Sequence, residues 1–397
     1  MLANDIVPIG IRDSLSSYAG SVFSAIPRAD QRRWAEVYLR GLLSVEGKKS
    51  VRKIAESILA MPAHQSLQQF INQSPWRWAP VRATLAHHVQ AAAPARAWVL
   101  SRVVIPKRGD RSVGVERQFL PEAGRMVNCQ IGLAVSLVTD LTSVPVNWRI
   151  LLPKSSGAPH VRKSAHIPDH VQTRPEWRES AGMVREMAGR WGLPSAPVVG
   201  GIRYLRQANE LVADLAARDI PFVLEVGESL RVMGRPHHVP AHRHTSFARR
   251  SLETVLTARD LLHSLTGQHH RHQAPAAVAS ISTAMKRSFV RSSRTKIPVA
   301  NGSARPARLI TELPPNGGPP RFWITNLMEH RIDELMSLAR LELRAREDMQ
   351  ALERDFGLRD FEGRSFRGWH HHMTMVSAAY VYANVGAERL PECARCS

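Results

Sequence analysis

Two polar residues, Ser101 and Arg102, interrupt an apolar stretch that runs from Trp98 to Gly109 (WVLSRVVIPKRG). The apolar and β-branched residues predict a buried strand, which Pro106 and Gly109 end. Buried polar groups need hydrogen-bonding partners, so a polar pair inside such a strand indicates a functional site or a strand end. Ser101 with a nearby histidine could supply a nucleophile, but no spacing in the sequence indicates a catalytic triad.

Histidine and cysteine clusters are a second group of residues with potential chemistry. The triplet His370 to His372 could bind a metal ion, and Cys393 with Cys396 forms a C-x-x-C pair that supplies half of a zinc site. The other two zinc ligands are not evident. Further histidines, in 237–244 and 269–272, lie in a basic segment and are interpreted as parts of a charge-adaptable loop.

The charge of the chain points to a polyanionic partner. The 397 residues include 54 Lys and Arg against 34 Asp and Glu, a net charge of +20. Residues 231–310 hold fourteen of the basic residues and two acids, Glu253 and Asp260. Such an excess favours nucleic acid through steering and counterion release. A solvated basic loop is the alternative. An anionic membrane fits less well, because the segment has no sustained amphipathic helix.

We therefore predict contacts with the phosphates of DNA. Arg52 and Lys53 lie near the start of a helix that Ser50 caps, a position suited to phosphate. The predicted DNA-binding residues are Arg52, Lys53, Lys107, Arg108, Arg249, Arg250, Lys286, Arg287, Arg291, Arg294 and Lys296.

Several protein classes are excluded or disfavoured. No stretch is apolar and long enough for a membrane helix, and the start MLANDIVPIG does not resemble a secretory signal. Three cysteines cannot cross-link a chain of this size, so a reducing cytosol is expected. We expect a cytoplasmic, nucleoid-associated protein.

The order of predicted elements indicates an α/β fold. Residues 1–95 show helical periodicity, and three or four short strands follow from Ala97 as an antiparallel meander. A helix at 175–192, a strand in APVVGG, a helix at 204–218 and a strand in PFVLEV come next. This order is typical of an RNase H-like mixed sheet flanked by helices. A strand in RFWITNL and a long helix that Gly357 ends follow later.

Composition divides the chain into five predicted segments. Residues 231–310 are rich in His, Arg, Ser and Pro with weak periodicity, which indicates a basic insertion or arm. The segments are a helical DNA-binding domain (1–95), a first part of the RNase H-like core (96–230), the basic insertion (231–310), the last strand and helices of the core (311–375) and a C-terminal tail (376–397).

The stretch GLRDFEGRSFRGWHHH, Gly357 to His372, resembles the C-terminal signature of DDE transposases of bacterial insertion sequences, in an actinobacteria-rich subgroup. The resemblance continues in order through YLRGLLS, SLQQFINQSPW, PKRG, SVGVERQF, NCQIGLAVS, PVNWRILLP and FWITNL, and so covers most of the chain. It implies an RNase H-like catalytic domain with an N-terminal DNA-binding domain. Members of the family cut and rejoin transposon ends with divalent metal. The resemblance also places the histidine triplet at a helix start near the cleft, so we expect it to contact phosphate or the core.

Two-metal cleavage of DNA requires carboxylate ligands, and the resemblance implies three positions for them. The first, before the Pro-Lys-x-Gly turn, holds Ser101 or Arg102. The second, ahead of Tyr204, holds Gly201. The third, eleven residues before the Gly-Leu pair, holds Arg346. Glu342 and Glu353 stand where the family has basic residues.

No neighbouring acid replaces the missing ones in the sequence pattern. Glu347 falls nearly opposite the apolar stripe of its helix, whereas Arg346 flanks that stripe. The remaining acids on or near strands, each interpreted as a surface charge, are Asp110, Glu116, Asp140 and Glu225.

The sequence therefore predicts a transposase-like protein that binds DNA and has lost cleavage and strand transfer, with no catalytic residues, no metal ligands and no cofactor, although the family uses Mg²⁺. The alternative is an active DDE transposase or endonuclease with displaced acids. The expected partner is DNA, including the terminal repeats of a related element. The sequence leaves homo-oligomerisation open, as well as the choice among a repressor, a recruited protein and a relict.

Overall fold

The computed structural model describes residues 9–59, 64–121, 123–234, 253–266, 277–283, 286–300, 302–314 and 317–386. The chain divides into two compact units. The first comprises the chain up to Pro194 and from Leu343 onward, and the second is Ser195–Glu342. Among the described residues, no helix is both long and apolar enough to cross a membrane.

The first unit begins with helices, as the periodicity predicts. They are α1 (Ile9–Val22), α2 (Ala29–Ser44), α3 (Val51–Ile58), α4 (His64–Asn72) and α5 (Trp78–Ala92). Ser50 caps α3, because its Oγ accepts a hydrogen bond from the Lys53 amide at 3.3 Å. Helix α3 packs against α2 where Gly41 leaves room for Ile54.

An antiparallel meander follows, also as predicted. Its strands are β1 (Ala97–Pro106), β2 (Glu116–Leu120), β3 (Arg125–Val138) and β4 (Ser143–Leu151). Strand β3 pairs with the other three. The helices that complete the unit are α6 (Pro159–Ser164), α7 (Glu176–Arg185), which a π-helical turn at Glu186–Arg190 continues, and α11 (Phe366–Val385).

The second unit carries a mixed sheet in the order β5-β6-β12-β11-β10-β7-β8, with β9 beside β10. Strands β5 and β6 are parallel, and the other described pairs of this sheet are antiparallel. The elements are β5 (Val198–Gly201), α8 (Ala208–Ala217), β6 (Phe222–Val226), β7 (Arg231–Gly234), β8 (Thr254–Thr257), α9 (Ala258–Thr266), β9 (Ala277–Thr283), β10 (Lys286–Pro298), β11 (Ala304–Leu313) and β12 (Arg321–Thr325).

Helix α10 (Ile332–Asp355) is the predicted long helix, and Gly357 follows it with a φ of +71°, a left-handed conformation that favours glycine. Sheets flanked by helices confirm the α/β class and agree with an RNase H-like architecture. The described parts of 231–310 form strands and helix α9, and the sequence pattern did not indicate these elements. On β10, only Val290, Thr295 and Ile297 are buried among the residues from 290 onward, so apolar alternation is weak.

Candidate functional site

Ser101 and Arg102, the predicted first position, lie on opposite faces of β1. Strand pairing places Arg102 opposite Leu133 of β3, which in turn lies opposite Arg149 of β4. Directly opposed residues share a face of a sheet. Helix α7 lies on this face, because Glu176 approaches Arg102, with 3.7 Å from Nε to Oε2. The guanidinium of Arg102 is therefore paired with a carboxylate.

Ser101 faces the other side of the same sheet. It lies opposite Ala134, and Ala134 lies opposite Trp148. Trp148 contacts α11, since its indole Nε1 donates to the Ser377 hydroxyl at 2.9 Å. Ser101 is half-buried on this face. It offers a hydroxyl where the resemblance implies a carboxylate.

Arg149 is the second arginine on the face toward α7. Its guanidinium hydrogen-bonds to Glu186 and lies 3.8 Å from Glu179. Burial raises the pKa of the Glu179 carboxyl, and the charge of Arg149 acts in the opposite direction. Glu176 of α7 thus pairs with Arg102. Glu179 of α7 and Glu186 of the π-helical turn pair with Arg149.

In the second unit, Gly201, the predicted second position, ends β5 beside the carboxylate of Glu342 from α10. A Cβ built on Gly201 would lie 2.8 Å from Glu342 Oε1 and 3.1 Å from Oε2. A side chain at residue 201 would therefore require Glu342 to move. A helix carboxylate occupies the space beside the strand position that the resemblance assigns to an acid.

Glu225 lies beside Gly201 in the sheet and is 6% exposed. Arg321 donates to both of its oxygens, at 3.1 and 2.9 Å, and Arg203 lies 3.5 Å away. The hydrogen bond to Glu225 raises the pKa of Arg321, and the Glu342 charge adds to this effect. The interpretation of Glu225 as a surface charge is wrong, because two guanidinium groups compensate its burial.

The sequence contained a signal for this ion pair. Glu225 interrupts the apolar strand Phe222–Val226 in the same way that Ser101 and Arg102 interrupt β1. The other acids interpreted as surface charges, Asp110, Glu116 and Asp140, are exposed.

On α10, Arg346 and Glu347 are both exposed, while Ala345, Met349 and Leu352 of the predicted stripe are buried. The orientation predicted for Glu347, away from the stripe, is confirmed. Nearby acids on this helix hold the fold of the first unit together. Asp348 accepts a hydrogen bond from the Ser143 amide at 2.9 Å, and Glu353 accepts one from Arg359 at 2.8 Å.

The histidine triplet lies in the core at the start of α11. All three imidazoles are buried, and burial lowers the pKa of His371 to about 3 and of His372 to about 4. The His372 ring accepts from the Tyr38 hydroxyl at 2.9 Å and donates to the Gly357 carbonyl at 3.0 Å. The expected core contact is confirmed.

The predicted phosphate contacts differ in their surroundings. Arg52 is paired with Glu56 at 2.7 Å, and Lys296 with Glu253 at 2.8 Å. Lys107 donates to the Phe361 carbonyl at 2.6 Å, and burial lowers its pKa. The exposed members are Arg52, Lys53, Arg108 and Arg294.

The structure gives less detail for the other predicted DNA-binding residues. Arg291 lies half-buried on β10, which Lys286 and Arg287 begin. Arg249 and Arg250 lie outside the described residues, as do Cys393, Cys396 and the histidines of 237–244 and 269–272. Whether any member contacts DNA stays a prediction.

No three His, Cys, Asp or Glu side chains in the described part of the chain are grouped so that they could hold a metal ion. Ser101, Arg102, Gly201 and Arg346 supply no carboxylate, so the residues at the three implied positions do not fit a pair of Mg²⁺ ions.

Comparison with known proteins identifies the family. The family model described as DDE superfamily endonuclease matches residues 21–254, more than half of the chain. No curated protein matches it. The chain belongs to the DDE superfamily endonuclease family, which confirms the transposase-like relationship that its motifs predict.

Proposed function

We propose that this chain is a transposase-like DNA-binding protein that no longer cleaves DNA with a two-metal site. The proposal rests on the absence of carboxylates at the three positions that the resemblance implies for metal ligands. These positions hold Ser101 or Arg102, Gly201 and Arg346. Hard divalent cations require oxygen ligands, chiefly carboxylates, to clamp the attacking and leaving oxygens of a phosphodiester. An arginine at such a position adds repulsion toward a metal ion.

DNA binding is supported by family membership and by the net charge of +20. We infer that residues 231–310 bind phosphates and that the helices of 1–95 supply any sequence preference. We further propose that the chain is a member of the actinobacteria-rich subgroup and divides into the five predicted segments. We also propose that it has a nucleoid-associated location in the cytoplasm. Its role would be repression of a related element or recruitment to DNA.

A pair of like charges on the second unit offers a specific phosphate site. Arg294 of β10 lies directly opposite Arg308 of β11. Burial lowers the pKa of Arg308, and the charge of Arg294 lowers it further. Like charges directly opposite each other across strands are destabilising, so an anion between them would be favoured. The sequence pattern did not single out Arg308.

A salt series tests the binding proposal. The logarithm of the affinity for duplex DNA should fall with the logarithm of salt concentration with a slope of about −0.9 per phosphate neutralised. Arg294→Gln should reduce the magnitude of that slope by about 1. Arg28→Gln, which removes a residue already paired with Asp30, is the matched control and should leave the slope unchanged. A slope near zero for the unaltered chain would contradict the proposal.

One observation favours a second candidate, an endonuclease with a displaced acid. The Glu342 carboxylate occupies the space beside Gly201, so it could substitute for an acid at that strand end. Under this alternative, metal-dependent cleavage would be observed and Glu342→Gln would abolish it. Under the main proposal, Glu342→Gln leaves DNA binding unchanged and no cleavage exists to be lost.

A further inference from the structure

The first unit contains a cavity of about 610 Å³ that the predicted functional positions do not use. It lies among the start of α5, the end of β4, the segment 168–174, α7 with its π-helical turn, and the start of α11. We call it the Trp78 cavity. Its volume is within the range of about 300–1,000 Å³ that is usual for sites that bind small molecules.

The lining of the Trp78 cavity is strongly basic. Five arginines line it against two glutamates, Glu179 and Glu186. Arg149 is already paired with both glutamates. Arg77 and Arg174 are exposed, and while burial raises the pKa of the Glu179 carboxyl, the charge of Arg174 lowers it. These two guanidinium groups can therefore turn toward an anion, which arginine binds through paired N–H donors.

A buried cation beneath the cavity reinforces this preference for an anion. Arg82 is 0% exposed, and its guanidinium donates to the Trp148 carbonyl, the His370 carbonyl and the Thr374 hydroxyl, all neutral groups. Burial lowers the pKa of Arg82 well below its usual value, and the charge of Arg149 acts in the same direction. His370 also lines the cavity, so an anion bound there would add to the partial compensation that the Glu186 charge gives Arg82.

One wall of the same cavity is aromatic. The Trp78 and His370 rings are stacked, with centroids 4.5 Å apart and an angle of 8° between their planes. Phe366 meets Trp78 edge to face at 6.1 Å. Ile150 and Leu152 add apolar surface. Aromatic side chains of this kind stack against nucleobases.

We propose that the Trp78 cavity binds a nucleotide, with the base against Trp78 and Phe366 and the phosphate on Arg77 and Arg174. The combination of an aromatic wall and exposed guanidinium groups matches a base joined to a phosphate better than it matches either part alone. The nucleotide can be a free mononucleotide or an unpaired nucleotide of a DNA strand. The proposal does not require the basic residues of 231–310 to bind DNA.

Titration of the full chain with four probes tests the proposal. The probes are deoxyadenosine monophosphate, deoxyadenosine, inorganic phosphate and a five-nucleotide single strand, with binding followed by calorimetry and by tryptophan fluorescence. We expect the mononucleotide to bind at least tenfold more tightly than the nucleoside or the inorganic phosphate, and to quench fluorescence. Binding of the single strand alone, with the variant effects below, would assign the cavity to a strand nucleotide.

Matched variants locate the binding. Arg77→Gln combined with Arg174→Gln should weaken binding of the nucleotide or single strand at least tenfold, because charge-assisted hydrogen bonds are lost. Both side chains are exposed, so folding should be retained. Arg125→Gln, an exposed site on β3 outside the cavity, is the control. Trp78→Leu should abolish the quenching.

Three results would overturn the proposal. They are equal binding of inorganic phosphate and nucleotide, no binding of any probe, and an equal loss of binding in the Arg125→Gln control and the double variant.

Discussion

Glu225 shows how the protein holds a buried carboxylate through side chains alone. Its two oxygens face Arg321 and Arg203, and Arg321 also stacks over Trp323 at 4.7 Å. On the first unit, Arg102 and Arg149 are paired with acids of the α7 side in the same way. At the scale of single residues, acids near the implied catalytic positions are neutralised by guanidinium groups.

Removing Arg321 should destabilise the folded chain, because Glu225 is buried and loses a charged partner. Arg321→Gln leaves the carboxylate with Arg203 alone, and we expect the free energy of unfolding to fall by about 1–3 kcal/mol, less than for a fully buried pair because Arg321 is half-exposed. Arg305→Gln, which loosens an exposed contact of 3.9 Å to Asp219, should change it by less than about 0.5 kcal/mol. Urea unfolding measures both, and equal effects would contradict the ion-pair role of Arg321.

His372 should make stability depend on pH. Its pKa is about 4 in the folded chain, below the ordinary value of 6.5, because it is buried. Between these values the unfolded chain binds a proton and the folded chain does not, so stability falls as the pH falls from about 6.5 toward 4. The slope contributed by this residue approaches about 1.4 kcal/mol per pH unit.

Comparing variants isolates that contribution. His372→Gln should make the fall in stability between pH 6.5 and 5 shallower by about that amount, measured by urea unfolding at each pH. His160→Gln, at an exposed position of α6, should leave the slope unchanged. If both variants keep the unaltered chain's pH dependence of the free energy of unfolding, burial does not lower the pKa of His372.

At the scale of elements, Gly41 determines how closely α2 and α3 pack. A Cβ on Gly41 would lie 2.2 Å from Ile54 Cγ2 and 2.8 Å from Cγ1, and Ile54 is 0% exposed. Gly41→Ala should therefore destabilise the chain by about 1–3 kcal/mol through overpacking. At an unhindered helical site the same change stabilises by up to about 1 kcal/mol.

Thermal unfolding of two further variants checks this interpretation. Gly20→Ala in α1 meets no heavy atom within 4 Å and should be neutral or stabilising. Combining Gly41→Ala with Ile54→Ala should remove most of the penalty of the first change. Stabilisation by Gly41→Ala alone would mean that α2 and α3 do not approach as closely as the structure indicates.

The elements also show which parts of the fold were predictable from sequence. Strand β1, the meander and α10 follow from apolar periodicity, because each buries one continuous stripe or face. The strands of 231–310 were not predicted, since β10 and β11 carry charged residues such as Arg294 and Arg308 at paired positions. Glu225 interrupts an apolar strand, which indicates that it needs a partner, but no local pattern identifies that partner. The Glu225 ion pair and the Trp78 cavity bring together residues far apart in sequence.

At the scale of the whole molecule, the net charge of +20 and the family relationship favour the same partner, DNA. The composition alone predicted a polyanionic partner, and the motifs predicted the family. The proposed loss of cleavage depends on the three implied positions, which only the resemblance identifies. We therefore propose that the chain retains DNA binding and lacks metal-dependent cleavage.

The most direct test of this claim measures binding and cleavage in the same samples. Purified protein is mixed with end-labelled duplexes, including terminal repeats of a related element, and incubated with Mg²⁺, Mn²⁺ or a chelator. We predict a stable protein–DNA complex in every sample and no cleavage product with either metal. A cleavage product that forms with metal and disappears with the chelator would contradict the claim, and its loss in Glu342→Gln would identify the displaced acid.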